Sequence, residues 1–215
     1  MSSQPIHAFS RHINESHLSE CINQLLYLYL ETEKVDCDAT LSTDWFQIEA
    51  LHILLTENAQ GLYRALQLPA IARSRRVIKY AVEISTCLWL GNFVRAHRIA
   101  AKLPLILQLA YRIQFAKHRP QLLKIYDKSY RSAQGGIFPL ERLSRHLMFD
   151  SVADTSSYCK ELGLLVDSST NSVLFRTGVC VKLDETPKPQ YICDRYVQQQ
   201  LENVCITNLL YGKSI

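Results

Sequence analysis

Seven histidines and seven cysteines are the residues of this chain with the widest chemical reach, as metal ligands, nucleophiles or proton carriers. Their spacing gives that chemistry little to build on. His7, His12 and His17 recur every five residues, a step that does not stack on one helix face, and no HExxH occurs. Cys21, Cys37, Cys87, Cys159, Cys180, Cys193 and Cys205 form an odd set with no CxxC and no ligand-like Cys/His spacing, which predicts free thiols in a reducing compartment. Cys159, beside Tyr158, falls on the inward side of a helical pattern and reads as a packed thiol rather than a nucleophile. His97 shares an apolar face with Phe93 and reads as a hydrogen-bonded core histidine. The carboxylate pairs Asp36/Asp38 and Asp184/Glu185 lie in loop-like stretches and read as solvated. The seven glycines make neither GxGxxG nor GxxxxGK[ST], which excludes the common phosphate-cradling loops. The expectation is no catalytic residue, no metal and no cofactor.

The cations are the more informative set. Residues 1–60 carry two cations against nine acids, residues 61–149 sixteen against three, and residues 150–215 six against eight. The net charge of +4 therefore hides a middle segment of +13, the electrostatic footprint of a polyanion-binding surface or of well-solvated helix faces. Arg95, Arg98 and Lys102 share one helix face by spacing, as do Lys124, Lys128 and Arg131. Arg73, Arg75, Arg76 and Lys79 cluster at the start of another helix. Arg142, Arg145, Lys160 and Arg176 lie on a C-terminal module described below. These fourteen are the candidate nucleic-acid contacts. A winged helix that reads the major groove needs cations on its second helix and wing. Here that helix offers Lys160 beside Glu161 and Asp154, so backbone phosphate binding is favoured over base readout.

The elements that must position these residues are overwhelmingly helical. Apolar residues make up 47% of the 215, enough for a core burying roughly 70% of the unfolded chain's surface. Asn14 caps a helix through Leu18, Cys21, Ile22, Leu25, Leu26 and Leu28. Residues 31–43 read as a loop, and Asp44 caps a helix through Phe46, Ala50, Leu51, Ile53 and Leu54. A short helix over 58–66 precedes Pro69. One longer helix over 71–90 turns Ile78, Ala81, Val82, Ser85 and Leu88 inward and ends at Gly91. Asn92 caps the next, and Pro104 and Pro120 each open another. After Gly135-Gly136 the texture changes. Pro139 opens a helix with Leu140, Leu143 and Leu147 inward. Ser151 and Asp154 form a capping box for a second, with Val152, Thr155, Cys159 and Leu162 on one face and a stop at Gly163. LLVD (164–167) and SVLFR (172–176) then flank a polar turn as a small hairpin. Residues 184–190 read as an extended linker, and 191–210 as an amphipathic helix or strand–helix.

The fold expectation is mainly α: an antiparallel helical-repeat array over 1–134, a winged-helix module with a small β-hairpin over 135–183, and a linker with an amphipathic segment over 184–215. Leu165, Val173 and Phe175 are candidate partner contacts near an exposed strand edge, with inward packing of Phe175 against Leu143 and Leu162 as the competing reading. No apolar run reaches the ~18 residues of a membrane span, and residues 1–16 have no secretory-signal pattern, so neither membrane insertion nor secretion is expected.

The stretches NESHLSECINQLLYLYLE (14–31), FQIEALHILL (46–55), GNFVRAHRI (91–99), FPLERLSRHLMFD (138–150) and CKELGLLVD (159–167) occur in that order. Together they resemble the conserved domain of the Sac-three/GANP family, over about residues 14–180. The resemblance implies a helical-repeat scaffold ending in a PCI-type winged helix. It also implies a PCI-type partner subunit, a small acidic peptide subunit, and RNA or single-stranded nucleic acid as partners, with no membrane and no small-molecule substrate. Without a pore-targeting extension, an acetyltransferase-like region or a long centrin-recruiting helix, the chain is most similar to the short single-domain member linked to centrosome duplication. The function so implied is a non-enzymatic scaffold or adaptor in centrosome duplication and mitotic progression. The alternative is an RNA-binding adaptor in nuclear mRNA export or processing. The corresponding location is the nucleus, or the centrosome and spindle, with the cytoplasm also open.

Overall fold

A computed structural model describes residues 11–35, 43–56 and 59–176, together with the single residues 199 and 202. The expected linker over 184–190 and the amphipathic segment over 191–210, apart from those two residues, lie outside the described residues, as do Asp36/Asp38 and Asp184/Glu185. Among the described residues seven helices come first: α1 (Arg11–Val35), α2 (Thr43–Leu55), α3 (Ala59–Gln67), α4 (Ala70–Ser74), α5 (Arg76–Trp89), α6 (Phe93–Ala100) and α7 (Leu105–Tyr130). Then follow β1 (Gly136–Pro139), α8 (Leu140–Leu147), α9 (Val152–Glu161), β2 (Leu165–Asp167) and β3 (Ser172–Phe175). The chain is mainly α, with one small antiparallel sheet among the described residues.

The middle of the helical array is α2, because its side chains are apolar nearly all round. Trp45, Phe46, Ala50, Ile53 and Leu54 are buried, and α2 packs against α1, α3, α5 and α7. Glu49 is buried with them, and Arg64 of α3 reaches its carboxylate at 2.6 Å, so the buried charge is paired. At the edge, α1 buries only Ile22 and Leu26 of its predicted stripe, while Leu18, Leu25 and Leu28 stay exposed. It also starts before Asn14, which sits inside the helix rather than at its cap, and it runs to Val35.

Two further boundaries differ from the sequence expectation. The single helix predicted over 71–90 is broken at Arg75, whose ψ of 135° is extended. Ala72 and Ile78 are both fully buried, yet six residues at about 100° each would put them on different sides of one helix, so the break lets both face the core. Pro120 does not open a helix but lies inside α7. A proline there removes the hydrogen bond to the carbonyl four residues back. Burial of Phe115, Arg119, Leu122 and Leu123 around it holds the helix through that defect. Asp44 falls in the first turn of α2, which starts at Thr43, rather than at its cap. Other punctuation follows the sequence. Gly91, at φ 72°, ends α5; the Asn92 side chain accepts from the Arg95 N–H at 3.2 Å, and the Ser151 side chain accepts from the Asp154 N–H at 3.0 Å.

The C-terminal module runs strand, helix, turn, helix, strand, strand, the order of a winged helix. β1 is an element the sequence reading missed. It pairs antiparallel with β3, and β3 with β2, giving the order β1-β3-β2. Gly136 is obligatory where β1 starts, since a Cβ there would meet the Tyr130 carbonyl oxygen at 2.0 Å. The turn between β2 and β3 is organised by Asp167. Its carboxylate accepts from the Ser169 hydroxyl at 2.6 Å, the Thr170 hydroxyl at 2.8 Å and the Ser169 N–H at 2.9 Å. Those bonds hold its pKa down at about 2. Leu140, Leu143 and Leu147 of α8 and Thr155, Cys159 and Leu162 at α9 face inward, as their spacing predicts. No helix among the described residues is long and apolar enough to cross a membrane.

Candidate functional site

The fourteen candidate cations are carried by α4 to α9 and by the residues just past α4, α6, α7 and β3. Arg73 lies exposed on α4, and Arg75 and Arg76 flank the break before Lys79 on α5. Two of this cluster are held by aromatic rings: Arg75 lies over Phe46 at 4.8 Å, and Arg76 lies over Tyr80 at 5.3 Å while donating to its hydroxyl at 3.0 Å. Arg95 and Arg98 are exposed along α6, and Lys102 lies in the turn after it. Arg95 is paired with Glu83, Nε donating at 2.9 Å. On α7, Lys124 is half-buried and Lys128 exposed, and Arg131, just past the helix end, pairs with the buried Asp127. Arg145 pairs with Glu141 at 2.6 Å, whereas Arg142 has no carboxylate partner among the described residues. Lys160 is exposed on α9, and Arg176 is exposed just past β3. Several cations are thus offset by acids or seated on rings.

The sheet corrects the partner-contact assignment by one residue. Side chains alternate between the faces of a strand. Val173 and Phe175 are both fully buried, which places them in the core and not at an exposed edge. Their neighbour Leu174, half-buried, faces the other way. The register puts Ile137 of β1 and Leu165 of β2 on either side of Leu174. Ile137 is 63% exposed and Leu165 44%, so an apolar row crosses the outer face of the sheet. Leu165 was legible in the sequence. Ile137 and Leu174 were missed because β1 was missed, and with it the central position of β3.

The winged-helix module is fastened to the array through the end of α8. Helix C-termini leave carbonyls without intrahelical partners. Here two side chains from the array satisfy them. Arg119 of α7, 4% exposed, donates from Nε to the Leu147 carbonyl at 2.8 Å and from its terminal nitrogen to the Met148 carbonyl at 3.2 Å, with its guanidinium 4.0 Å over Phe149. His97 of α6 meets the His146 carbonyl at 2.9 Å through Nε2 and the Tyr111 hydroxyl at 2.6 Å through Nδ1. A carbonyl only accepts, so Nε2 carries the proton and Nδ1 accepts from Tyr111. This is the hydrogen-bonded histidine the sequence predicts. Burial lowers its pKa, and burial also pushes the Tyr111 phenol upward. The Cys159 thiol is packed in the core and pushed up to about 12 by burial, far from the thiolate a nucleophile needs.

A cleft of about 440 Å³ lies beside this joint, lined by Tyr126 and Tyr130 of α7, Phe138 of β1, and Arg142, Arg145 and His146 of α8. Its arginines were singled out in the sequence; its rings were not, although Tyr126 and Tyr130 carry the i, i+4 spacing that stacks side chains on a helix.

No curated protein matches the chain. The domain described as the SAC3/GANP family matches residues 1–168, most of the chain's length. With that match covering the helical array and the first part of the strand–helix–helix–hairpin module, the chain belongs to the SAC3/GANP family.

Proposed function

We propose that this protein is a non-enzymatic scaffold that assembles with a PCI-type partner subunit, in centrosome duplication and mitotic progression. The observation that carries the reading is the outer face of the sheet. Ile137, Leu174 and Leu165 make an apolar row on a sheet whose outer strands, β1 and β2, each have one edge unpaired among the described residues. An apolar stripe beside open strand edges is disfavoured in water and suits a partner module that adds a strand or covers the face. The family resemblance supplies the kind of partner and the cellular setting.

The test is affinity purification with mass spectrometry from interphase and from mitotic cells. A PCI-domain subunit recovered in both, with centrosomal or spindle proteins in the mitotic sample, supports the reading. Recovery of mRNA-export factors instead would favour the second reading, an RNA-binding adaptor in nuclear mRNA export or processing. That reading is supported by the exposed cations Arg73, Lys79, Arg98, Lys102 and Lys128. Recovery of no PCI-type subunit in either state would overturn the scaffold reading.

A further inference from the structure

We infer that the cleft between the C-terminal half of α7 and the start of the winged-helix module is a binding site for one nucleotide, a planar base together with its phosphate. Three rings form a ladder. Tyr130 stacks on Tyr126 with centroids 5.9 Å apart and planes 18° apart, and Tyr126 stacks on His146 at 5.9 Å and 25°. Phe138 closes the side, edge-on to Tyr130 at 5.1 Å and tilted against Tyr126 at 4.8 Å. The ladder is rigid because its members hold one another. The Tyr126 hydroxyl is hydrogen-bonded to His146 Nδ1, and His146 is anchored in turn where its carbonyl accepts from His97.

Phe175 tilts against Tyr130 from the sheet, with centroids 6.3 Å apart and planes 32° apart, and leaves part of the Tyr130 ring uncovered. Tyr130 is 41% exposed, so a planar ring laid on it continues the stack, the geometry by which aromatic side chains hold bases in single strands. The mouth supplies the second half of the ligand's chemistry. Arg142 and Arg145 sit three residues apart on α8, on the same wall, and a guanidinium pair of this kind suits a phosphate. Glu141 engages Arg145, but both side chains of that pair are about 70% exposed, so the pair is weak and open to exchange for a phosphate. Arg142 lacks even that competitor among the described residues. The volume falls within the roughly 300–1,000 Å³ of small-ligand sites, enough for one nucleotide and too small for a duplex. Neither the rings nor the arginines belong to the outer sheet row, so the site stands independently of the partner reading.

Adenosine monophosphate and a ten-residue oligoadenylate are the two probes, followed by the chemical shifts of the tyrosine rings and by fluorescence anisotropy. Saturable binding of the mononucleotide, with shifts confined to Tyr126 and Tyr130, indicates a free nucleotide as the natural ligand. Binding of the oligomer at least tenfold tighter indicates a nucleotide within a single strand. Either result supports the site. Arg142→Ala, a change at an exposed position, should weaken both probes about fivefold to tenfold, and Tyr130→Ala about tenfold or more. The triple reversal of Arg95, Arg98 and Lys102 should leave the mononucleotide unaffected, which separates the cleft from the basic residues outside it. Binding of neither probe, a triple reversal that weakens the mononucleotide as strongly as Arg142→Ala does, or a phosphotyrosine peptide that outcompetes both probes would each overturn the proposal.

Discussion

His97 and Arg119 show how single side chains decide where one part of this chain meets another. Each comes from the helical array, and each donates to a terminal carbonyl of α8. Replacing Arg119 with Met keeps the stem but leaves two buried carbonyls without that donor. The expected cost is about 3 kcal/mol, and for a chain of this length that lowers Tm by roughly 6–12 °C. A thermal scan of Arg119→Met checks it, and an unchanged Tm would mean that the joint does not depend on this cap. The histidines add a pH dependence. Burial is the leading cause that lowers the pKa of His97, His52 and His146 below their ordinary value of 6.5. On acidification the unfolded chain therefore takes up protons first. The stability these groups contribute is complete above 6.5 and declines as pH falls through 6.5 toward their lowered folded values. Urea unfolding at pH 7.5 and at roughly pH 5.5 should show lower stability at the acidic point, with a shallower pH slope in His97→Gln.

At the scale of the element, strand β3 carries the sharpest distinction. Phe175 and Val173 point into the core, while Leu174 between them points out. Phe175→Ala is expected to cost about 3–5 kcal/mol by opening a cavity, and circular dichroism melting would register it. Leu174→Ser, half-buried on the outer face, should cost about 1 kcal/mol or less. The sequence showed the hairpin but not its facing, because SVLFR is apolar at three consecutive positions and alternation cannot choose between its faces. Facing is set by β1, and IFP is too short and too close to two glycines to read as a strand alone. The helices were more legible where a cap or glycine punctuates them, as at Asn92, Ser151, Gly91 and Gly163. They were less so where tertiary packing overrides local preference. Pro120 carries the signature of a helix start and Arg75 none of a helix break, yet burial of their neighbours dictates the reverse in both cases. The cleft was half legible: arginines stand out by charge, whereas its rings are dispersed over α7, β1 and α8 and meet only in the fold.

Over the whole molecule, the sixteen cations of residues 61–149 are spread across several elements, and Glu83, Asp127 and Glu141 pair with three of them, which leaves the net +13. A surface of this kind predicts weak, sequence-tolerant binding of single-stranded RNA with steep salt dependence, because released counterions supply the free energy. Reversing Arg95, Arg98 and Lys102 together should weaken that binding and flatten the log–log salt slope by up to about 2. Filter binding across a salt series measures both, and an unaltered slope would reduce these faces to solvated surface.

The central claim is that the outer row of the winged-helix sheet docks a protein partner while the inner row holds the core. The measurement that tests it most directly compares the Ile137→Asp, Leu165→Asp double variant with Phe175→Ala, reading Tm and the affinity for the co-purified PCI-type subunit on the same preparations. The account predicts that the double variant melts within about 2 °C of the parent and binds the subunit at least ~30-fold more weakly, the loss of one interface hot spot. It predicts that Phe175→Ala melts several degrees lower and, below its transition, still binds. A double variant that binds the subunit as tightly as the parent would contradict it.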